Sequence, residues 1–321
     1  MLGRYLALGL VALVASGTSP VGSGSRLGGR PLELVAARGS LWALVCDRGC
    51  SGEARRSVGR VVRVDPRDGH VVASTKLAHP SALGAGGAGV FATDFWGNAV
   101  RRLDPGTLRV TASLGLTLPF AFVPGDDAFL PEYVAVGEHA IWVSSDRGAL
   151  ARIDPRLARV ESSVRLPPDT IGGIAVGGGA VWVAESLLGV ARVDPMRSRV
   201  VGRIRIARLA VDQVVVAGGA IFAIGGRMSS GALSGGSAVA RIDPSRNRVR
   251  AVTLLPAGAP VIARGAGAVW VGIRERSLLV RIDARTGAVS RLRARIGVAL
   301  AFAGGRLWTA DADGALRQLP T

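Results

Sequence analysis

The sequence predicts an all-β fold, a seven-bladed β-propeller of four-stranded antiparallel blades. First, a phrase recurs seven times in which a glycine-rich turn precedes an aliphatic residue and a bulky aromatic one. Second, an Arg-aliphatic-Asp phrase answers six of the seven copies, usually with proline after the Asp. Third, the spacing is roughly 40 residues, which is typical of propeller blades. The aliphatic-aromatic pairs are Leu41-Trp42, Val90-Phe91, Ile141-Trp142, Val181-Trp182, Ile221-Phe222, Val269-Trp270 and Leu307-Trp308.

The most regular unit, residues 174–207, shows why each copy is a sheet. Its apolar runs, at 174–176, 181–184, 190–193 and 200–204, are too short for helices and rich in β-branched residues. Gly177, Gly178 and Gly179 favour a tight turn between the first two strands, and Asp194-Pro195 favours a turn between the last two. Each unit is therefore a meander of strands a, b, c and d. Apolar residues on both faces indicate that neighbouring sheets pack against each other.

The last unit, residues 298–319, supplies only strands a, b and c. An uncovered sheet edge is a liability, so another segment is expected to pair there. The spacing before Trp42 predicts that residues 20–29 provide the outer strand of the seventh blade. The N-terminal strand then closes the ring.

The N-terminus resembles a secretory signal peptide over residues 1–17, with Arg4, an apolar run over residues 5–15 and small residues at Ala15, Ser16 and Gly17. Residues 18–321 are then expected to form a single domain, because the repeat leaves no linker. No second long apolar stretch follows, so we expect no transmembrane segment in the mature chain. A monomer that is secreted, or held in the cell envelope outside the cytoplasm, is expected.

Two cysteines, Cys46 and Cys50, lie four positions apart. In an exported chain this spacing favours a local disulfide. Free thiols and a metal pair are the alternatives, the latter disfavoured because a structural zinc site usually has four ligands.

The formal net charge is +17, and Lys76 is the only lysine among 40 basic residues. Such an excess allows attraction to nucleic acid, another polyanion or a membrane surface. Aromatic residues are 5% of the chain, fewer than a base-stacking platform for single strands needs. No motif of a nucleotide-binding enzyme, serine hydrolase or zinc protease occurs.

Loops of a propeller emerge on two faces, here named by their connections. The loop face carries the b–c and d–a connections, and the turn face carries the a–b and c–d turns. Acidic residues in the b–c and d–a connections predict a relatively acidic loop face. Several carboxylates with a histidine could hold a cation or polar ligand there. Solvated turn residues are the alternative. The candidates are His79, Asp94, Asp146, Glu185 and Asp311.

The c–d turns predict a strongly basic turn face. Guanidinium groups suit phosphate and carboxylate, so a polyanion could bind there. Simple solvation of a repeated turn is the alternative. The candidate residues are Arg156, Arg159, Arg197, Arg199, Arg246 and Arg248.

Three insertions, at residues 45–58, 116–132 and 224–238, interrupt the repeat on the loop face. Long loops on a rigid scaffold often carry function. Residues 116–132 are the candidate lid over a ligand or partner, with a cover for a blade edge as the alternative.

The Gly-x-aliphatic-Trp-Val and Arg-Ile-Asp-Pro phrases resemble those of the YVTN/YncE-like β-propellers and the related streptogramin lyase (virginiamycin B lyase) and NHL-type propellers. The segment 180–185, which ends in Glu185, looks like a Trp-x-x-Glu strand of the lyase group, and His79-Pro80 matches its Pro/His dipeptide. That resemblance implies a metal ion with a catalytic His and Glu in late blades. Here the histidines, His70, His79 and His139, all lie in the first half of the chain.

The sequence thus indicates a non-catalytic binding or interaction scaffold for a protein or an envelope polymer, with no resident cofactor. One alternative is a metal-assisted lyase or hydrolase that uses a divalent cation and brings His79 and Glu185 to a shared centre. The other is binding of nucleic acid or a different polyanion through the arginine-rich turn face.

Overall fold

The computed structural model describes residues 25–49, 57–118, 128–168 and 171–321. Within these ranges the chain forms seven antiparallel sheets arranged as a ring, and the only helix is a 3-10 turn at Arg274–Arg276. Six sheets have four strands in chain order, and the seventh has three. The predicted seven-bladed β-propeller is confirmed.

The first four blades run from Arg30 to Ile204. Blade 1 contains β1 (Arg30–Ala37), β2 (Ser40–Arg48), β3 (Val58–Val64) and β4 (Val71–Ala78); blade 2 contains β5 (Pro80–Gly86), β6 (Gly89–Asp94), β7 (Ala99–Leu103) and β8 (Val110–Gly115). Blade 3 contains β9 (Pro131–Val136), β10 (Ile141–Ser145), β11 (Ala149–Ile153) and β12 (Val160–Arg165); blade 4 contains β13 (Ile171–Gly177), β14 (Ala180–Glu185), β15 (Gly189–Asp194) and β16 (Arg199–Ile204).

The last three blades run from Leu209 to Leu319. Blade 5 contains β17 (Leu209–Ala217), β18 (Ala220–Ser229), β19 (Ala232–Asp243) and β20 (Arg248–Ala257); blade 6 contains β21 (Pro260–Gly265), β22 (Ala268–Ile273), β23 (Leu278–Asp283) and β24 (Val289–Arg293). Blade 7 contains β25 (Ala299–Ala303), β26 (Arg306–Ala310) and β27 (Leu316–Leu319).

The core consists of separate apolar clusters, each between two adjacent blades. The repeated aromatic of strand b supplies much of this packing: Trp182, which has no exposed surface, lies between blades 4 and 5. Its indole N–H donates to the carbonyl of Gly177, 3.0 Å away, and Trp42 and Trp270 make the same bond to the residue five positions earlier. The aromatic therefore fills the blade interface and also fastens its own a–b turn.

The ring closes between blades 7 and 1, where one apolar cluster contains Leu34 and Leu41 with Trp308 and Leu316. Leu27 is 3% exposed and belongs to the same cluster. Beside β27, Arg26 pairs with Ala315 in an antiparallel bridge, and the Ser25 carbonyl accepts the Leu316 N–H. The predicted closing segment, 20–29, is described from residue 25 onward. In that part its pairing with the outer edge of blade 7 is one short bridge.

The Arg-aliphatic-Asp-Pro phrase has two separate structural roles. The Asp accepts turn N–H groups: Asp194 Oδ1 bonds the amides of Met196 and Arg197 at 2.9 and 3.0 Å. The Arg instead reaches the next blade, as where Arg192 Nη1 donates to the Pro244 carbonyl at 3.0 Å. The repeated arginine therefore fastens neighbouring blades through main-chain oxygens.

Candidate functional site

His79 and Asp94 are the only two of the five loop-face candidates that the structure places in contact. His79 Nδ1 lies 3.1 Å from Asp94 Oδ1. Asp94 is 2% exposed and also accepts the Gly97 amide at 2.8 Å and Arg101 Nη2 at 2.5 Å. Both carboxylate oxygens therefore already have partners: Gly97 and Arg101 in blade 2, and His79 directly before the first strand of that blade.

The other three carboxylates lie in blades 3, 4 and 7, and each has an arginine beside it. Glu185 has no exposed surface, and its carboxylate accepts Arg203 Nε at 2.8 Å. Asp311 accepts Arg317 at 2.6 Å and Arg295 at 3.3 Å, and Asp146 lies 3.8 Å from Arg147. Within the described ranges, no group of three or more His, Cys, Asp or Glu side chains is arranged to hold a metal ion.

The six turn-face candidates form a continuous series across the c–d turns of blades 3, 4 and 5, here called the arginine arc: Arg156, Arg159, Arg197, Arg199, Arg246 and Arg248. All six are exposed. Arg197 pairs with Asp194 at 2.9 Å and Arg246 with Asp243 at 3.1 Å, on side chains that are 69% and 67% exposed. For the remaining four, the described chain offers no carboxylate partner.

The loop face also carries arginines beside the predicted carboxylates, and its relative acidity stays a prediction because residues 50–56, 119–127 and 169–170 lie outside the described part. Arg205 and Arg208 are exposed in the connection between blades 4 and 5, and Arg276, Arg293 and Arg295 are exposed around blades 6 and 7. The prediction counted only the acidic residues of the d–a connections and left out the arginines at the ends of the outer strands. Positive charge is therefore present on both faces of the disc.

The central channel contains the residues that the sequence did not single out. A cavity of about 350 Å³ lies along the axis and is lined by the first strand of every blade. Most of its lining is aliphatic, but Glu33, Ser81, Tyr133 and Gln213 also face it. The sequence feature that could have identified Glu33 is a single carboxylate within the otherwise apolar run 31–35, which the repeat assigns to an inner strand.

Glu33 lies in β1 next to a bulge that begins at Pro31, and it lines the channel. β5 has a second bulge between Pro80 and Leu83, and the Leu83 amide donates to Glu33 Oε2 at 2.8 Å. Burial raises the pKa of Glu33 to about 7, and the Leu83 hydrogen bond only partly opposes that effect. The carboxyl is enclosed by protein except where it faces the channel.

Three more ionisable groups on the first strands of blades 3 and 5 also have raised pKa values. Burial, with a smaller repulsion from Asp146, raises the pKa of Glu132 to about 7. Partial burial of its carboxyl raises the pKa of Asp212, a residue that is otherwise exposed, although the Gly226 amide donates to it. The pKa of Tyr133 rises to about 12 through burial and then through the charges of Glu132, Asp212 and Glu33. Tyr133 is therefore the group on which the charges of all three carboxylates act.

Two of the three insertions lie partly outside the described residues. The predicted lid, 116–132, is described only at its ends, where Thr117 bridges Ala128. The insertion 45–58 includes Cys50, which lies outside the described residues, so its disulfide with Cys46 stays a prediction. The third insertion, 224–238, is part of a long β18–β19 hairpin that turns at Ser230 and Gly231, both with positive φ.

No protein-family model matches this chain. A search of curated proteins likewise finds no match. Among solved structures, the chain resembles Kuenenia stuttgartiensis hydrazine synthase with a TM-score of 0.69 and 15% identity, over 95% of this chain and 98% of that one. It also resembles BamB from Moraxella catarrhalis with a TM-score of 0.57 and 15% identity, over 90% and 84%.

These likenesses support the propeller fold and extend no further. With 1375 matching chains, the fold is shared too widely to indicate one function. The narrower resemblance to YVTN/YncE-like and streptogramin lyase-like propellers stays a prediction. No helix in the described part of the chain is long and apolar enough to cross a membrane.

Proposed function

We propose that this chain is an exported, non-catalytic binding scaffold whose arginine arc holds an anionic envelope polymer. The observation that carries the proposal is the set of four exposed guanidinium groups, Arg156, Arg159, Arg199 and Arg248, that have no carboxylate partner in the described chain. Guanidinium groups bind phosphate and carboxylate groups through paired hydrogen bonds. Their repetition on adjacent blades suits a ligand that repeats its charge.

The local charge balance distinguishes the arc from the other c–d turns. In blades 3, 4 and 5, each c–d turn carries more arginines than acidic residues. In blade 1, Arg67 is accompanied by both Asp65 and Asp68, and in blade 2 Arg109 faces one acid, Asp104. Among the c–d turns of blades 1 to 5, the excess positive charge therefore lies in three neighbouring blades, which favours a ligand over simple solvation of the repeat.

Export is part of the proposal and rests on the signal-like segment 1–17. The metal-assisted lyase is not proposed as a second function. Its Glu185 is buried and held by Arg203, and the described residues provide no third donor near His79 and Asp94.

A salt titration tests the proposal. The mature protein is mixed with a fluorescent oligothymidylate, a phosphodiester polymer with known counterion behaviour, and its affinity is measured from 50 to 500 mM NaCl. If all six arginines contact phosphates, the logarithm of the affinity should fall against the logarithm of salt with a slope of about −4. An affinity that does not change with salt would contradict the proposal.

A further inference from the structure

Three carboxylates without a basic partner lie on the first strands of blades 1, 3 and 5, close enough to Tyr133 for their charges to act on it. Glu33, Glu132 and Asp212 have no ion pair in the described chain, although the chain carries 40 basic residues. Elsewhere, most carboxylates contact arginine, as Asp47 contacts Arg60 at 2.7 Å. Among those that lack such a contact, the Asp104 carboxylate accepts turn amides at the surface.

Glu33 is the one of these three acids that lines the central cavity. It is the most enclosed of the three acids, and its single hydrogen bond in the described structure is to the Leu83 amide through Oε2. Oε1 has no hydrogen-bond partner there, and the half-buried Glu33 side chain lines the cavity. A largely enclosed carboxylate with no counter-charge favours the uptake of a proton or a cation.

The cavity indicates which kind of cation fits. No three acidic or histidine side chains in the described ranges are arranged as a metal site. The volume of about 350 Å³ is in the range of small-molecule sites, and aliphatic residues such as Leu34, Val134 and Ile262 form much of the wall. The Tyr133 ring adds an aromatic group that can contact an ammonium ion.

We infer that the central channel binds a small organic amine, whose ammonium group pairs with Glu33 near Glu132 and Asp212 and whose apolar body packs on the aliphatic wall. This site is separate from the arginine arc, because it lies on the axis and takes the opposite charge. Binding favours the ionised carboxylates, so complex formation below about pH 7 releases protons. The groups that set this dependence are Glu33, Glu132, Asp212, Tyr133 and, more distantly, Asp146.

The test compares two probes of nearly the same shape by calorimetry at pH 8. Phenethylamine carries an ammonium group, and 2-phenylethanol replaces it with a neutral hydroxyl. We expect saturable binding of the amine, at least tenfold weaker binding of the alcohol, and at least tenfold weaker amine binding by Glu33→Gln. The matched control is Glu138→Gln, which makes the same change at an exposed turn-face carboxylate whose side chain is 94% exposed.

Proton release gives a second readout that a purely structural role for Glu33 does not produce. At pH 6.5 the apparent binding enthalpy should differ between buffers with different heats of ionisation, and Glu33→Gln should reduce that difference. If Glu33→Gln does not fold, amine binding by Glu132→Gln and by Asp212→Asn is compared with that of wild type instead. Equal binding of amine and alcohol, or no amine binding at millimolar concentration, would overturn the inference.

Discussion

Replacing Glu33 with glutamine should change how the stability of the protein depends on pH. Glutamine keeps a side-chain oxygen for the Leu83 amide, which donates to Glu33 at 2.8 Å, but it carries no charge at any pH. In the folded wild type, burial raises the pKa of Glu33 to about 7 from the ordinary value of 4.5. The folded state therefore binds a proton more tightly than the unfolded state does.

The sign and size of the effect follow from this difference. Between pH 4.5 and 7 the folded state holds more protons, so the contribution of Glu33 to stability is full below pH 4.5 and declines as pH rises, levelling above pH 7. The full decline is about 3 kcal/mol. Glu33→Gln lacks it, so the variant should gain about 3 kcal/mol relative to wild type between pH 4.5 and 8.

Urea unfolding at several pH values, followed by tryptophan fluorescence and far-ultraviolet circular dichroism, measures this difference. Glu132 and the surface carboxylates also titrate, but they are present in both proteins and largely cancel in the comparison. Glu138→Gln, at an exposed site, should stay parallel to wild type. If the curve of Glu33→Gln also runs parallel to wild type, Glu33 is ionised in the folded protein and the account of the channel is wrong.

Two further predictions concern stability. Arg203→Met should lower the free energy of unfolding by about 3 kcal/mol, because it leaves the buried Glu185 carboxylate without its cation; Arg197→Met, at an exposed pair, should cost less than about 1 kcal/mol in the same urea titration. Leu27→Ala should cost about 2–4 kcal/mol if the N-terminal segment holds the ring closed, since Leu27 is 3% exposed in the cluster between blades 7 and 1. A loss below about 1 kcal/mol would show that closure does not depend on it.

The fold was predictable because one pattern is repeated. Trp182 fills a blade interface and bonds the Gly177 carbonyl, so both the aromatic residue and the glycines before it recur with the blade. The Asp of each c–d turn likewise recurs because it accepts turn amides. A residue that serves every blade leaves a periodic trace in the sequence.

The channel residues leave no such trace. Glu33 lies beside a bulge in β1 that no periodic pattern marks, and a shift of one residue in a strand moves a side chain to the other face. Glu185 and Arg203 are 18 positions apart, so their pairing depends on the registers of β14, β15 and β16. The sequence places such residues on their strands but does not determine which of them meet.

The most direct test of the proposed function compares two variants that lose the same charge. In the first, Arg156, Arg159, Arg199 and Arg248 are each changed to glutamine; in the second, Arg205, Arg208, Arg291 and Arg293, which are exposed elsewhere on the disc, are changed in the same way. Oligothymidylate affinity at 100 mM NaCl should fall at least tenfold more in the first variant. Equal losses would show that binding follows net charge alone, and they would contradict a binding site in the arginine arc.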